Sequence, residues 1–389
     1  MQLHCTRPGC PRPLNSFADL DDNQTLKTVQ QKFCTTCGMP LILIGRYLPL
    51  KLLGQGGFGA AFLARDRYTP AMRPCVVKQF QPAGTLTPSQ LATAQGLFER
   101  EGEVLEQLGT HPQIPDLYAF FELTVPSFQP GKEDKFFYLV QEFIDGQDLE
   151  EELADKGRLS EPEVREILGE ILEVLTFVHD NQSIHRDIKP SNIMRQKPSG
   201  TMIGNKGKVY LLDFGAVKQV ATGAGAGAQS STGIYSMGYA PPEQMSSSQV
   251  YPSSDLYALA VTCITLLTGK QPADLYDPYH NTWNWRSHTQ VSDRLADVLD
   301  RMLLSTPNQR FPSARDVLAA LKPAPAPPPV SPAPRPTSVT PPSPPAPSTS
   351  LQKPPPAAPA PRPPRPPRPA PSFSVLEFLA GAGFAGFEG

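Results

Sequence analysis

The chain carries almost no net charge. Its 35 Lys and Arg stand against 37 Asp and Glu, which leaves −2 over 389 residues. No global field therefore draws it to nucleic acid or to an anionic membrane. Long apolar runs are missing as well. The stretch Leu256 to Leu267 is about a dozen residues, where a membrane span needs about 20. The opening Met1-Gln2-Leu3-His4 leads straight to Cys5 with no apolar h-region, so we expect a cytoplasmic protein. Acid is absent between Pro323 and Pro371, although that stretch holds about half of the chain's 47 prolines and several Lys and Arg. Such a composition excludes a packed core there.

Cysteine is sparse, six in all, but four of the six cluster. They form Cys5-x4-Cys10 and Cys34-x2-Cys37, the second pair within Cys-Thr-Thr-Cys-Gly. In a reducing compartment, clustered thiols point to metal or redox chemistry before structural disulfides. Zinc takes four thiolates in a tetrahedron, and two short cysteine turns supply them. Residues 1–44 are too few for a core of their own, so a metal cross-link would replace one. Cys5, Cys10, Cys34 and Cys37 are thus the expected Zn2+ ligands of a zinc-ribbon-like module. An oxidisable pair or pairs is the open alternative. Four cysteines complete the shell, so His4 reads as a surface residue. The module lacks a stripe of basic and aromatic residues, and no nucleic-acid partner is expected. Cys75 and Cys263 lie in apolar runs and read as small core residues.

The densest chemistry lies between Ile184 and Asn192, followed by Asp213-Phe214-Gly215. The first stretch offers a carboxylate, Asp187, an ammonium, Lys189, and an amide, Asn192. The second adds the carboxylate of Asp213. Phosphoryl transfer from ATP needs such a set. One acid takes the proton of an attacking hydroxyl, a cation steadies the moving phosphoryl group, and a carboxylate with an amide oxygen holds Mg2+. Upstream, Leu53-Gly54-Gln55-Gly56-Gly57-Phe58-Gly59 is a glycine-rich turn. A dinucleotide fingerprint requires a helix after the glycines. Ala60-Ala61-Phe62-Leu63-Ala64 reads instead as a short strand, so a hairpin over phosphates is the better reading. Cys75-Val76-Val77-Lys78 is a β-rich run whose terminal lysine is costly unless paired.

H-R-D-x-x-x-x-N followed by D-F-G resembles the eukaryotic-type (Hanks-type) serine/threonine protein kinases, especially their cyanobacterial branch. The resemblance runs from about Tyr47 to Leu321. It implies an α+β, bilobal fold with a β-rich N-lobe and an α-helical C-lobe. It implies Asp187 as catalytic base, Lys189 at the γ-phosphate, and Asn192 and Asp213 as Mg2+ ligands. Lys78 would meet the α- and β-phosphates of ATP and pair with Glu101. The turn from Leu53 to Gly59 would cover the phosphates. Ala61 and Val76 would cover adenine, Gln141 would guard the pocket's rear, and Glu142 and Ile144 would present backbone groups to the base. Asp148 would reach the ribose, with Met194 in the same pocket. The family usually has valine where Ala61 stands and alanine where Val76 stands, a swap that conserves pocket volume. His185 and Phe214 are expected as hydrophobic supports. Asp255 would brace the catalytic-loop backbone, and Glu243 would pair with Arg310. Arg186 would need an anion, such as a phosphate on Ser230, Ser231, Thr232 or Ser236. The implied reaction transfers the γ-phosphate of ATP to Ser or Thr of protein substrates, the enzyme's own loop included. A catalytically dead scaffold and a zinc-ribbon adaptor are the competing classes.

Ser160-Glu161-Pro162-Glu163 is a capping box with proline in the first turn. Val164, Ile167, Leu168, Ile171, Leu172, Leu175 and Val178 follow at helical spacing. Leu256 to Leu267 is apolar on every side, which predicts a central buried helix stopped by Gly269. The expected layout is a cysteine module over 1–44, a kinase domain over 45–321, a disordered proline-rich linker over 322–372 and an apolar segment over 373–389. The linker reads as a polyproline spacer or a docking site for proline-binding modules. The last segment suggests membrane-associated partners.

Overall fold

The computed structural model describes residues 1–55, 59–80, 88–198, 207–216, 218–219, 238–246 and 249–322. Gly56, Gly57 and Phe58 lie outside them. So do Ser230, Ser231, Thr232, Ser236 and everything from Pro323 onward.

The chain opens with β1 (Gln2–His4) paired antiparallel to β2 (Leu14–Ser16). A short helix, α1 (Asn23–Thr28), follows, capped where Asp22 accepts from the Thr25 N–H at 2.8 Å. Five antiparallel strands then build one sheet: β3 (Tyr47–Gln55), β4 (Gly59–Asp66), β5 (Pro74–Phe80), β6 (Leu117–Pro126) and β7 (Glu133–Glu142), in the order β3-β4-β5-β7-β6. The long helix α2 (Pro88–Leu108) connects β5 to β6. The glycine-rich turn joins β3 to β4 as a hairpin, with Gln55 opposite Ala60. That register excludes the helix a dinucleotide fingerprint requires.

Strand alternation sorts the sheet into two faces. Ala60, Phe62 and Ala64 share one face with Cys75, Val77 and Gln79, and all six are buried. Ala61, Leu63, Val76 and Lys78 share the other and are half-buried. The first face is covered by residues 1–44. Leu3, Cys5, Leu20, Leu26, Met39, Leu41, Ile42 and Leu43 form one core with Tyr47, Leu48, Phe62, Val77, Tyr138 and Val140. The cysteine segment therefore does not lack a core, as its length had suggested. It shares the sheet's core, and the described residues fall within one compact unit. Each buried aliphatic side chain contributes about 1.5–3 kcal/mol there. His4 also departs from expectation. Its ring packs on Phe62 at 5.3 Å and its Nδ1 lies 2.9 Å from the Cys5 carbonyl, so it is half-buried.

The second half is mainly helical. It runs through β8 (Gly146–Asp148), α3 (Leu149–Lys156), α4 (Glu161–Asp180), β9 (Ser183–Ile184), β10 (Ile193–Gln196), β11 (Val209–Leu211), β12 (Lys218–Gln219), α5 (Pro242–Ser246), α6 (Pro252–Thr268), α7 (Pro272–Leu275), α8 (Asp293–Met302) and α9 (Ala314–Leu321). The expected capping box opens α4, with Glu163 accepting from the Ser160 N–H at 2.9 Å. Every residue of α6 from Ser253 to Leu267 is buried. Gly269 ends it in the left-handed region, φ +68°, where a Cβ would fall 2.2 Å from the Gly157 carbonyl oxygen. Helices α4, α6, α8 and α9 share one core with Leu105 and Leu108 of α2. Among the described residues, no helix is long and apolar enough to cross a membrane.

Candidate active site

The catalytic stretch leaves α4 through β9 and turns back into β10. Strands β11, β10 and β8 then form a small sheet in which Ile193 faces Leu211. One residue further out, the Leu212 N–H donates to the Asn192 carbonyl at 2.8 Å. That ladder is what brings Asn192 and Asp213 together across 20 residues of intervening chain. Asn192 donates Nδ2 to the Asp187 backbone oxygen at 2.7 Å and to its carboxylate at 2.9 Å. The amide oxygen consequently points away from Asp187. Lys189 Nζ lies 3.0 Å from the same carboxylate.

Lys78 enters from β5. Its Nζ is 2.5 Å from Glu101 on α2 and 3.4 Å from Asp213. Burial alone would push the Lys78 ammonium down, but the charges of Glu101 and Asp213 outweigh it and carry the pKa up. Lys78 is thus firmly charged. Asp213 is held below the usual aspartate range, chiefly by Lys78, with His185 and Lys189 adding to the pull. Glu99 and Glu103, the other acids in this part of α2, form no ion pair with Lys78.

The loop backbone is braced from below. Asp255, fully buried at the start of α6, accepts from the His185 N–H at 2.9 Å, the Arg186 N–H at 2.8 Å and His179 Nε2 at 2.8 Å. Arg186 has φ +71°, a conformation costing about 1–3 kcal/mol for such a residue. Its carbonyl accepts from Gln244 Nε2 at 2.7 Å, so both of its peptide neighbours are held. The Arg186 Nε is buried without a hydrogen-bond partner among the described residues, and burial lowers its pKa. His185 Nε2 donates to the Leu212 carbonyl, 3.1 Å away, and the ring packs edge-on to buried Phe214 at 4.8 Å. Glu243 meets Arg310 through two bonds, 2.7 and 2.9 Å.

On the half-buried face of the sheet, Ala61 and Val76 lie on neighbouring strands beside Lys78. Leu53 and Gly54 lead into the glycine turn along β3, and Gly54 lies opposite Ala61. The Glu142 N–H donates to the Asp116 carbonyl at 2.9 Å. Ile144 is buried just beyond it. Met194 sits opposite Asp148 and Tyr210 in the small sheet. Asp148 has a role that sequence reading missed: it caps α3, accepting from Glu150 and Glu151 N–H groups at 2.9 Å. Gln244 was also missed, although it directly follows Ala240-Pro241-Pro242-Glu243. Gln113 was missed too. It fastens β11 through Val209 and Leu211, with no local signal.

The four cysteines meet on the far side of the sheet. Their sulfurs all lie within 4.8 Å of one another, with Cys5–Cys37 at 3.5 Å and Cys10–Cys34 at 3.7 Å. Zinc–sulfur bonds of about 2.3 Å give a tetrahedral sulfur–sulfur edge of about 3.8 Å, so the set fits that ion. Burial would raise the Cys34 thiol. The Thr36 and Cys37 N–H groups and the Asn15 amide, 3.5 Å away, outweigh it and bring the pKa to about 6. Cys10 is pushed up to about 11 by burial. Buried Asn15 also accepts from Thr35 N and Oγ1 at 2.9 and 3.0 Å, which shapes the second cysteine turn. Nothing in the sequence around Asn15 marked it.

Comparison with known proteins fits this geometry. Residues 47–320 match the protein kinase domain family. Serine/threonine-protein kinase F of Synechocystis is 64% identical over 82% of this chain and 63% of its own length. Serine/threonine-protein kinase B of the same organism is 39% identical over 82% of this chain and 51% of its own length. Serine/threonine-protein kinase PknA of Nostoc is 41% identical over 73% of this chain and 48% of its own. The chain thus spans about half to three fifths of these relatives. With the matched segment covering both lobes and the ion pair of Lys78 in place, this chain belongs to the protein kinase domain family.

Proposed function

We propose that the chain transfers the γ-phosphate of ATP to serine or threonine hydroxyls of protein substrates, including its own. The observation that carries this reading is the convergence of Asp187, Lys189 and Asn192 with the Lys78–Glu101–Asp213 cluster. In it, Asp187 receives the proton of the attacking hydroxyl as its oxygen bonds to phosphorus and the bond to ADP breaks. Lys189 neutralises charge on the moving phosphoryl group, and Lys78 holds the other phosphates. Asn192 and Asp213 are the residues that would hold Mg2+, which neutralises phosphate charge when bound. Lys189 two places after Asp187 supports Ser and Thr as acceptors. The pocket for ATP is proposed as Leu53 to Gly59, Ala61, Val76, Glu142, Ile144, Asp148 and Met194.

The test is incorporation of labelled phosphate from Mg-ATP by wild type and Asp187→Asn. The variant should lose a factor of about 10²–10⁴. A wild-type protein that binds nucleotide but transfers nothing would instead be a scaffold.

For the cysteine segment we propose one structural Zn2+ held by Cys5, Cys10, Cys34 and Cys37. The mutual approach of all four sulfurs supports one site rather than two separate pairs. One tightly held zinc per chain, with equal activity in reduced and oxidised protein, is the expected result. Activity that falls on oxidation would favour a redox gate. For the proline-rich and apolar stretches past Pro323, composition supports a spacer with docking to proline-binding modules or membrane-associated partners, in a cytoplasmic setting.

A further inference from the structure

A short chain of buried polar groups crosses the largely apolar seam between the cysteine segment and the sheet. Tyr138, on β7, is fully buried and stacks on Phe121 at 5.2 Å. Its hydroxyl lies 2.8 Å from Thr6 Oγ1 and 2.9 Å from Gln79 Nε2. Thr6 and Gln79 are buried as well, 3% and 0% exposed. Thr6 directly follows Cys5, and Gln79 directly follows Lys78. In the ladder Tyr138 faces Gln79, while Leu139 faces Lys78. Gln79 can only donate through Nε2, so the tyrosine oxygen accepts there and its own proton serves Thr6.

Apolar contact alone tolerates sliding. A buried polar chain does not, because any shift leaves a donor or acceptor unpaired away from water. Arg7 strengthens the same seam. It donates to the Cys37 carbonyl at 3.1 Å and to Asp134 of β7 at 2.8 Å. The second cysteine turn and the sheet are thus tied together through the two residues that follow Cys5.

We propose that Tyr138 is a positioning residue for Lys78. Its hydroxyl, held by Thr6 beside Cys5, fixes β5 against the cysteine segment, so the integrity of the four-cysteine site sets how well Lys78 meets Glu101 and ATP. The proposal rests on the kinase reading of Lys78 and treats the four cysteines as one site.

A mutant cycle on the full chain tests it. Tyr138→Phe keeps the ring and its stacking, and Thr6→Val cuts the chain from the other end at constant volume. Three readouts are taken: kcat and KM for ATP, the labelling rate of Lys78 by an acyl-phosphate derivative of ATP, and metal per chain. Both variants should keep the wild-type metal content, lower kcat about three- to tenfold with little change in KM, and slow Lys78 labelling in parallel. Cys5→Ala should slow labelling at least as much, and adding Tyr138→Phe to it should change the rate less than about twofold. Unchanged labelling in Tyr138→Phe overturns the proposal. So do effects of Tyr138→Phe and Cys5→Ala that multiply. Wild type without metal would sink the zinc reading only, since the cycle still decides the role of Tyr138. Wild-type Lys78 that the probe never labels would sink the kinase reading and this inference together.

Discussion

Asp255→Asn isolates what the buried carboxylate under the catalytic loop contributes. The side chains have equal volume, so packing in α6 is preserved. The hydrogen-bond count is not. Wild-type Asp255 takes His185 N and His179 Nε2 on one oxygen and Arg186 N on the other. An asparagine has one acceptor oxygen. Turned to keep His185 and His179, its amide N–H groups face the Arg186 N–H; turned the other way, it loses two partners. A hydrogen bond to a charged acceptor contributes about 1.5–3 kcal/mol, and an unpaired buried donor costs about 1–3 kcal/mol. The variant should therefore lose about 2–4 kcal/mol. Arg186 would no longer be held at φ +71° from its amide side. Its relaxation would move Asp187, and kcat should fall at least about tenfold with KM for ATP unchanged.

Equilibrium urea unfolding is the assay. The chain's two tryptophans, Trp283 and Trp285, both pack in the helical lobe, so their fluorescence reports the right region. The pH dependence adds an independent check. Burial would raise the Asp255 carboxyl, but His179 and the loop N–H groups outweigh it and hold it below the ordinary 3.8. A depressed folded-state pKa gives stability that is present above the unfolded value and lost as pH falls through the folded one. The gap between wild type and variant should thus be full at neutral pH and shrink below about pH 4. A gap under about 0.5 kcal/mol with kcat intact, or one that widens in acid, would refute the bracing role.

Two further substitutions probe other parts of the site. Val76→Ala should open a void beside Ala61, which supplies no compensating bulk, and weaken ATP binding about fivefold by competition titration; tighter binding would show that the two residues do not share one pocket wall. Glu243→Gln breaks the bidentate pair with Arg310, whose side chain is 0% exposed. Buried pairs cost about 3–5 kcal/mol to break, and the carbonyls of Ser253, Leu304 and Ser305 still hold the guanidinium, so about 3 kcal/mol is expected by urea unfolding. A loss below about 1 kcal/mol would mean that those carbonyls suffice alone.

Much of this was legible because its signals are local. Asp187, Lys189 and Asn192 lie within six residues, and the turn that carries them fixes their relation. Helix α6 was readable because a run apolar on all sides can lie only inside. The Glu243–Arg310 and Lys78–Glu101 pairs came through resemblance, since nothing local joins residues 67 and 23 positions apart. Gln113, Gln244 and Asn15 stayed hidden for a plain reason. An amide that closes a distant backbone looks, in sequence, like any surface amide.

The cover over the sheet is the instructive case, because a local signal for it existed. In Pro74-Cys75-Val76-Val77-Lys78-Gln79-Phe80 the odd positions of one face carry apolar Cys75 and Val77 beside Gln79, and the even positions of the other carry apolar Val76 and Phe80 beside Lys78. A strand with one face in water alternates apolar and polar residues; this one is apolar on both. The cleft and α2 account for one face only. The second face then needs an apolar cover, and among residues 1–44 there are Leu3, Leu20, Leu26, Met39, Leu41, Ile42 and Leu43 to supply it. Treated as a minimal metal-held ribbon, that segment had seven large apolar side chains with no place to go. Placed on the sheet, they and the strand satisfy one another. The same step explains Gln79. Polar at a position whose neighbours are all buried, it demands a polar partner from the cover, and the seam provides one through Tyr138 and Thr6.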